Sequence, residues 1–522
     1  MNNSILVVTP PLLVLVLAIC TRNVLISLCA GIVLASFFAG DYILTDAGSI
    51  LWKNLYTTLT NSHNLATFGF LIMLGTLTII MAQMGGILAY TNAVQGSITS
   101  KKKAEISTLL LSPLFFIDDY INSLTVGSIM KPITDKFNIA RAKLAYLLDA
   151  MSGSLCLLIP ASSWLAIILP QLKNSGLSLS IKDSPKILAD GFNTYLVSIP
   201  FMFYPIITII TAWSFVMLGI SYGSMKKHEL AAVKGDLFNG KKAICHDIAP
   251  STDGSLSYFA LPLGSFILSI AIGIAFTGNS WIFGGKNSFI QTVQQADILF
   301  VLFYSSVFSV IFSSLFFIAK KKMSTHDLFV SIKNGGYFMH NSILTLSLAW
   351  TFAAILKNNL QTGAYLADAL LGTVDIALLP GMFFLTATLI AAATGSSWST
   401  ITIMLPITIP MLCQFSPSFA SLIPEQVPLL YPTLGAIFSG SLAGAHFSPI
   451  SDTTITASTS AGCYHIDHIK TQIGYLAPSF IGTLLAYIAA GYLANYPLGS
   501  FIALLIGLLP LGIIIFIYKK HK

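Results

Sequence analysis

The chain has 522 residues, 55% of them hydrophobic and only 9% charged, with a formal net charge of +7, a balance far more apolar than a soluble core requires. The excess of base does not argue for nucleic acid, because the lysines sit in short loops beside apolar runs, a pattern that sets membrane orientation. Six scattered cysteines without ligand spacing imply neither a disulfide framework nor a zinc site, and the lack of a Walker glycine loop, HExxH or GxSxG leaves ATP-driven transport and common hydrolase chemistry unsupported.

The N-terminus, MNNSILVVTPPLLVLVLAI, has no basic leader and no clear small-residue cleavage site, so it reads as a retained first helix. The later apolar runs reach about 18 residues or more, enough to cross a ~30 Å hydrocarbon slab, and they do not alternate as barrel strands do. Basic clusters occur at Arg22, Lys101–Lys103, 131–143, 224–250, Lys320–Lys322 and 519–522. Placing all of them in the cytoplasm, from an outside N-terminus, gives spans at 5–20, 23–40, 66–85, 144–170, 193–222, 256–276, 298–319, 339–356, 428–462, 474–494 and 498–518. The expectation is an all-α polytopic membrane protein with about 11 transmembrane helices and a cytoplasmic C-terminus.

The walk holds only if two segments enter and return on the same side. Residues 104–131 enter from the cytoplasm with IDDYINS at the tip, and residues 377–413 from outside with ATGSSWS at the tip. Irregular polar backbone at membrane depth is tolerated where protein or a water-filled cavity surrounds it. Internal similarity agrees: SIMKPI (128–133) matches TIMLPI (402–407), and SGSL at 152–155 and 439–442 is followed each time by Pro-x-Ser, at Pro160 and Pro449. The order hairpin, SGSL, Pro-x-Ser is used twice with opposite sidedness, an inverted repeat of the kind secondary transporters use. The chain thus divides into N-terminal scaffold helices (1–65), a first repeat (66–222), a cytoplasmic basic loop (223–255), linking helices (256–338), a second repeat (339–497), and a last helix with a basic tail (498–522).

Four constellations carry candidate chemistry. Asp118 and Asp119, with Asn122 and Ser123, place adjacent carboxylates where at least one must be protonated or hold a cation; the bland alternative is a shallow, solvated loop. Asp149, alone in an apolar run, suits a protonatable or cation-binding role, or a carboxylate bonding the hairpin backbone. Thr394, Ser396 and Ser397 at the second tip offer hard oxygen ligands, or merely small residues for close helix packing. Around Pro449, Ser448, Ser451, Asp452 and Thr453 flank a helix break whose carbonyls near Ala445 and His446 lose their donors. Ser162, in the first Pro-x-Ser, is grouped with them, and His446 is a candidate for tuning the pH response or simply a neutral, bonded core histidine. His465 and His468 in YHIDHIK share a helical face but fall in the predicted cytoplasmic loop, where a solvated turn is favoured over metal or pH sensing.

The stretches IDDYINSLTVGSIMKPITDKFNIARAKLAYLLD, PASSW, ATGSSWST, and GAHFSPISDTTITAS with CYHIDHIKTQIGY resemble the NhaC family of sodium/proton antiporters, over about residues 60–490. The resemblance implies exchange of cytoplasmic sodium for external protons across a bacterial inner membrane, driven by the proton gradient. It also implies a scaffold paired with a transport domain of two re-entrant hairpins and two broken helices. Sodium and protons are then the transported species, with no resident cofactor, no enzymatic step, and the lipid bilayer as the partner surface; a homodimer is compatible with it. One departure stands out: where the family usually has Gly-Asp-His before the proline, this chain has Gly444, Ala445 and His446. The same family includes exchangers of small carboxylates such as malate and lactate, so a sodium-coupled organic-solute exchanger is the alternative. A membrane-embedded enzyme using the adjacent aspartates fits poorly, because neighbouring helical side chains diverge by ~100°.

Overall fold

The computed structural model describes residues 5–21, 24–86, 98–179, 185–241, 255–287, 291–292, 295–362, 365, 375–415, 422–427, 429–449, 451–494 and 496–520. Arg22, the end of the basic tail and much of the predicted loop 223–255 lie outside them. The described residues form helices joined by turns, with isolated bridges such as Leu177 to Ile187 and no extended strand.

In chain order, α1 (Thr9–Thr21), α2 (Val24–Ala39), α3 (Leu44–Thr60) and α4 (Ser62–Gln83) precede a hairpin of α5 (Lys101–Leu111) and α6 (Asp119–Lys136), joined by a 3₁₀ turn at Ser112–Phe115. Helices α7 (Arg141–Leu158) and α8 (Ser163–Ser175) are two halves of one span bent by 47°. Then come α9 (Gly191–Ser198), α10 (Phe203–Leu218), α11 (Gly223–Val233), α12 (Ser257–Thr277), α13 (Ile298–Ala319) and α14 (Thr325–Asn358). A second hairpin, α15 (Leu379–Thr394) with α16 (Ser397–Gln414), leads into a second broken helix, α17 (Leu430–Phe447) with α18 (Asp452–Ala461). The chain closes with α19 (His465–Tyr492), α20 (Gly499–Gly507) and α21 (Leu509–Lys520).

Among the described residues, seven helices are long and apolar enough to cross a membrane, or eight with the bent pair counted as one span. The eleven expected crossings are therefore not established as a count. Part of the shortfall has a local cause, since the expected span 428–462 is interrupted at 448–451. The sequence walk assigns no element to residues 44–60, yet α3 forms there, exposing Leu44, Trp52 and Tyr56 while burying Ala47 and Asn54. Such a two-faced helix with an exposed Trp suits a membrane–water interface.

The helix ends follow from local chemistry. Ile159 and Ser448, each preceding a proline, are extended at φ −91° and −88°, as Pro Cδ demands of its predecessor. At the second hairpin tip, Gly395 adopts φ +70° and its N–H bonds Ala391 O, a left-handed C-cap that a side chain would oppose. Ser396 then turns the chain, its Oγ accepting from Ser399 N at 3.2 Å as the N-cap of α16.

The chain divides into two compact units. One comprises Met1–Tyr56, Ser100–Cys245 and Leu348–Lys522, and holds both hairpins and both broken helices; the other comprises Thr57–Thr99 and His246–Ser347. Within the second unit, α4, α12, α13 and the first part of α14 pack through small residues: a Cβ on Gly75 would lie 2.9 Å from Gly335 O. Ser309 Oγ donates to Pro262 O at 2.8 Å, and Phe276 and Phe308 stand exposed as on a lipid-facing surface.

The first unit shows a reciprocal exchange. Helix α6, the second arm of the first hairpin, packs on α7 and on α18, the far half of the other broken helix; α16 packs likewise on α17 and on α8. This reciprocal pairing is the arrangement expected of an inverted-repeat transporter. The two SGSL copies meet where α7 and α17 approach, since a Cβ on Gly153 would lie 2.6 Å from Leu442 Cδ1. Gly440 and Gly444, spaced GxxxG, press α17 on α15, where added Cβ atoms would lie 2.5 Å from Phe384 O and 2.3 Å from Thr388 O.

Candidate functional site

The first hairpin tip carries the densest negative charge. Asp118, Asp119 and Asn122 are 0–1% exposed and sit at the start of α6, whose unsatisfied N–H groups favour anions. Tyr120 N donates to Asp118 Oδ1 and to Asp119 Oδ1, both at 3.1 Å, and Trp164 Nε1 from α8 donates to Asp119 Oδ2 at 3.3 Å. Asn122 Nδ2 donates to Ser112 O at 2.8 Å, which turns Oδ1 into the interior, where it has no hydrogen-bond partner among the described residues. Carboxylate oxygens with an uncommitted amide oxygen make the hard donor set an alkali cation accepts. The solvated-loop alternative for DDY is thereby set aside, because the tip is folded inside the protein.

Asp149 occupies a different chemical setting. It is fully buried, and Gln472 Nε2 from α19 donates to its Oδ2 at 2.6 Å, while Oδ1 has no hydrogen-bond partner among the described residues. The same Gln472 Nε2 donates to His446 O at 2.9 Å, and His468 Nε2 lies 3.9 Å from Asp149 Oδ2. Donors, not oxygens, dominate the resolved contacts here. Ser123 Oγ donates to Ser152 Oγ at 3.1 Å, and Ser152 Oγ to Asp149 O at 3.4 Å, linking this site to the first hairpin.

The second break gathers the remaining expected residues. The carbonyls freed by Pro449 are taken by protein donors: Ala445 O accepts from Ser448 N at 3.1 Å and Thr454 Oγ1 at 3.2 Å, and His446 O from Gln472. Hydroxyls hold the second hairpin to this break. Ser397 Oγ donates to Ser441 O at 3.0 Å and Ser448 Oγ to Ala392 O at 2.8 Å, while Thr394 Oγ1 turns back to Ile390 O of its own helix at 2.9 Å. A hydroxyl that gives its proton to a carbonyl still presents oxygen lone pairs, so the cluster remains an oxygen donor set. Ser451 and Thr453 share a hydroxyl contact of 2.9 Å. Ser162 Oγ donates to Cys156 O at 2.5 Å and thereby bridges the first break.

Asp452 is exposed at the start of α18, and Tyr120 OH donates to its Oδ2 at 3.3 Å, joining the break of one repeat to the hairpin of the other. His446 is 1% exposed, with Tyr204 OH 3.1 Å from Nδ1. The expected solvated turn at YHIDHIK is corrected: α19 begins at His465, and His468 is fully buried beside Asp149. The signal was a polar stripe, His468, Thr471, Gln472 and Tyr475, at helical spacing.

Comparison with known proteins places this architecture. The model of the Na+/H+ antiporter family matches residues 155–492. An uncharacterized protein of Haemophilus influenzae is 32% identical over 526 residues, spanning 100% of this chain and 96% of the relative. The crystal structure of the Alcanivorax borkumensis YdaH transporter, of unusual topology, aligns with a TM-score of 0.57 at 13% identity, covering 87% of this chain and 90% of that one. MtrF of Neisseria gonorrhoeae, from a class of antimetabolite efflux pumps, aligns with a TM-score of 0.44 at 13% identity, over 87% and 85% of the two chains.

Proposed function

Because this chain belongs to the Na+/H+ antiporter family, and is therefore a multi-pass membrane transporter and not an enzyme, we propose that it exchanges sodium for protons across the bacterial inner membrane, driven by the proton gradient. In this reading the N-terminus is outside and the C-terminus cytoplasmic, as the loop lysines direct. The observation that carries the proposal is the buried pair Asp118 and Asp119 beside the uncommitted Asn122 Oδ1.

Two adjacent carboxylates cannot both stay ionised inside protein without a cation. Sodium on one face of the membrane and protons on the other satisfy the same groups in turn, and a site that must be filled by one or the other is the minimum device for antiport. Asp118, Asp119 and Asn122 form the cation half. The oxygens of Thr394, Ser396, Ser397, Ser448, Ser451 and Thr453, with Asp452, form its counterpart at the second repeat. Asp149, surrounded by donors, serves as the proton carrier, and His446, bonded to Tyr204, sits where it can tune that step.

The test is transport by the purified full chain in proteoliposomes under an imposed pH gradient, comparing sodium, lithium, malate, lactate and amino acids. Sodium-dependent proton movement is expected, and Asp119→Asn and Asp149→Asn should each lower it by roughly 10²-fold or more with insertion intact. Sodium flux without protons would mean a channel. Proton movement that follows malate or lactate would replace the ion exchanger with a carboxylate exchanger.

A further inference from the structure

The contacts of Asp149 continue beyond Gln472 into a chain of groups that the sodium/proton scheme has not used. Gln472 Oε1 lies 2.6 Å from His468 Nε2, His468 Nδ1 lies 2.7 Å from Ser458 Oγ, and the same Oγ lies 2.9 Å from His465 Nδ1. His465 Nε2 lies 2.7 Å from Pro449 O, and Ser458 Oγ is also 2.7 Å from Thr454 O. The chain thus runs from the fully buried Asp149 to a half-exposed imidazole.

Counting donors fixes where the protons are. His446 O can only accept, so the Gln472 end that faces it at 2.9 Å must be the NH₂ group, and Oε1 must face His468. His468 Nε2 therefore carries a proton, and so does His465 Nε2, which faces the Pro449 carbonyl. In neutral rings both Nδ1 atoms would then be bare acceptors. Ser458 has one hydroxyl proton, yet it approaches two Nδ1 atoms and a carbonyl, all within 2.9 Å. One hydroxyl cannot supply three acceptors; one additional proton on an imidazole turns that Nδ1 into a donor and leaves the hydroxyl proton between the other Nδ1 and Thr454 O, which a three-centre bond can serve.

We propose that His465, Ser458 and His468 hold one shared proton and form the station through which Asp149 exchanges protons with solvent. The added proton is argued from the crowding of acceptors on Ser458 Oγ; its service to exchange rests on the sodium/proton reading above. In the transfer, the His465 Nδ1–H bond breaks as Ser458 Oγ gains that proton, and the Ser458 hydroxyl passes its own to His468 Nδ1. His468 Nε2 then releases its proton to Asp149 Oδ2, across a gap of 3.9 Å that must close by roughly 1 Å. His465 is left neutral, Ser458 unchanged, His468 as the other neutral tautomer, and Asp149 neutral.

The ionisable groups facing the pair are Asp149 from α7 and His446 from α17. On α19 itself Asp467 is paired with Lys241 at 2.7 Å, with His228 from α11 close to both. Asp452 stands at the head of α18, the helix that carries Ser458.

The test has a structural and a transport arm, both on the full chain. In ¹⁵N-histidine-labelled protein, with signals assigned through His465→Gln and His468→Gln, one of the two rings should be an imidazolium at about pH 7. That signal should be lost in Ser458→Ala and kept in Ser458→Thr. Two neutral rings at that pH in the unmodified protein would overturn the proposal. In proteoliposomes, the pH of half-maximal sodium-dependent proton movement should shift by roughly one unit or more in Ser458→Ala and His465→Gln, and Ser458→Thr should restore it. Unshifted profiles in both variants would remove the relay, and His465→Gln carries this arm if Ser458→Ala does not insert. An unmodified protein with no sodium-dependent proton movement would defeat the sodium/proton reading alone, leaving the ring-nitrogen signals to decide the triad.

Discussion

Lys143 is 3% exposed, with Nζ 2.9 Å from Glu105 Oε1 and 2.6 Å from Glu229 Oε1, so one ammonium ties α5, α7 and α11 together. Removing the cation leaves two buried carboxylates with only the partly exposed Lys101, 3.5 Å from Glu229 Oε1, to answer them, whereas removing all three charges leaves mainly a packing change. Lys143→Met should therefore destabilise the protein by about 3–5 kcal/mol, read as a lowered thermal midpoint in detergent. Adding Glu105→Gln and Glu229→Gln should recover most of that loss. Two residues earlier in the chain, Arg141 grips Asp135 at 2.7 Å and donates to Ala461 O at 2.8 Å, joining the C-terminal end of α6 to that of α18. Sequence shows Arg141 and Lys143 only as part of a basic cluster. Their partners lie as many as 320 residues away, and no local pattern encodes such pairings.

At the scale of elements, hairpins and helix breaks were legible because they follow from local rules: proline after an extended residue, Gly395 at a tip, and charge on both flanks of an apolar run. What escaped were helices whose polarity is explained by neighbours. Helix α19 begins at His465, nine residues before the span that hydropathy marks at 474–494, because its polar first turns are buried against α7, α17 and α18. Helix α3 escaped for the opposite reason, being too polar on one face to register as a span. The contact of α15 with α17 yields a sharp contrast between glycines. Gly444→Val should abolish correct folding, as its side chain would collide with Thr388 O, whereas Gly474→Ala on α19 meets nothing within 4 Å. The latter should be neutral or stabilising by about 0.5–1 kcal/mol, and monodisperse yield and thermal midpoint measure both.

For the whole molecule, the reciprocal pairing of α6 with α18 and of α16 with α8 is the fact that composition could not supply. The repeated motifs announced a duplication, yet which arm would lie on which half-helix depends on contacts hundreds of residues apart. Opposite sidedness of the tips is directly measurable. Single cysteines at Leu114, 42% exposed beside the first tip, and at Ser396 in the second, in a background without the native cysteines, should react with a membrane-impermeant thiol reagent from opposite faces. Labelling of both from one face would end the inverted-repeat account. The approach of Gly153 to Leu442, where the two SGSL copies touch, carries a consequence for descent. A half-length forebear assembling as an antiparallel pair would have met itself at this crossing, so any change there would have struck twice. Joining the halves into one chain would release that constraint, so that the residue after the shared Pro-x-Ser can differ, Ser163 in one copy and Asp452 in the other, giving two unlike ends for one passage.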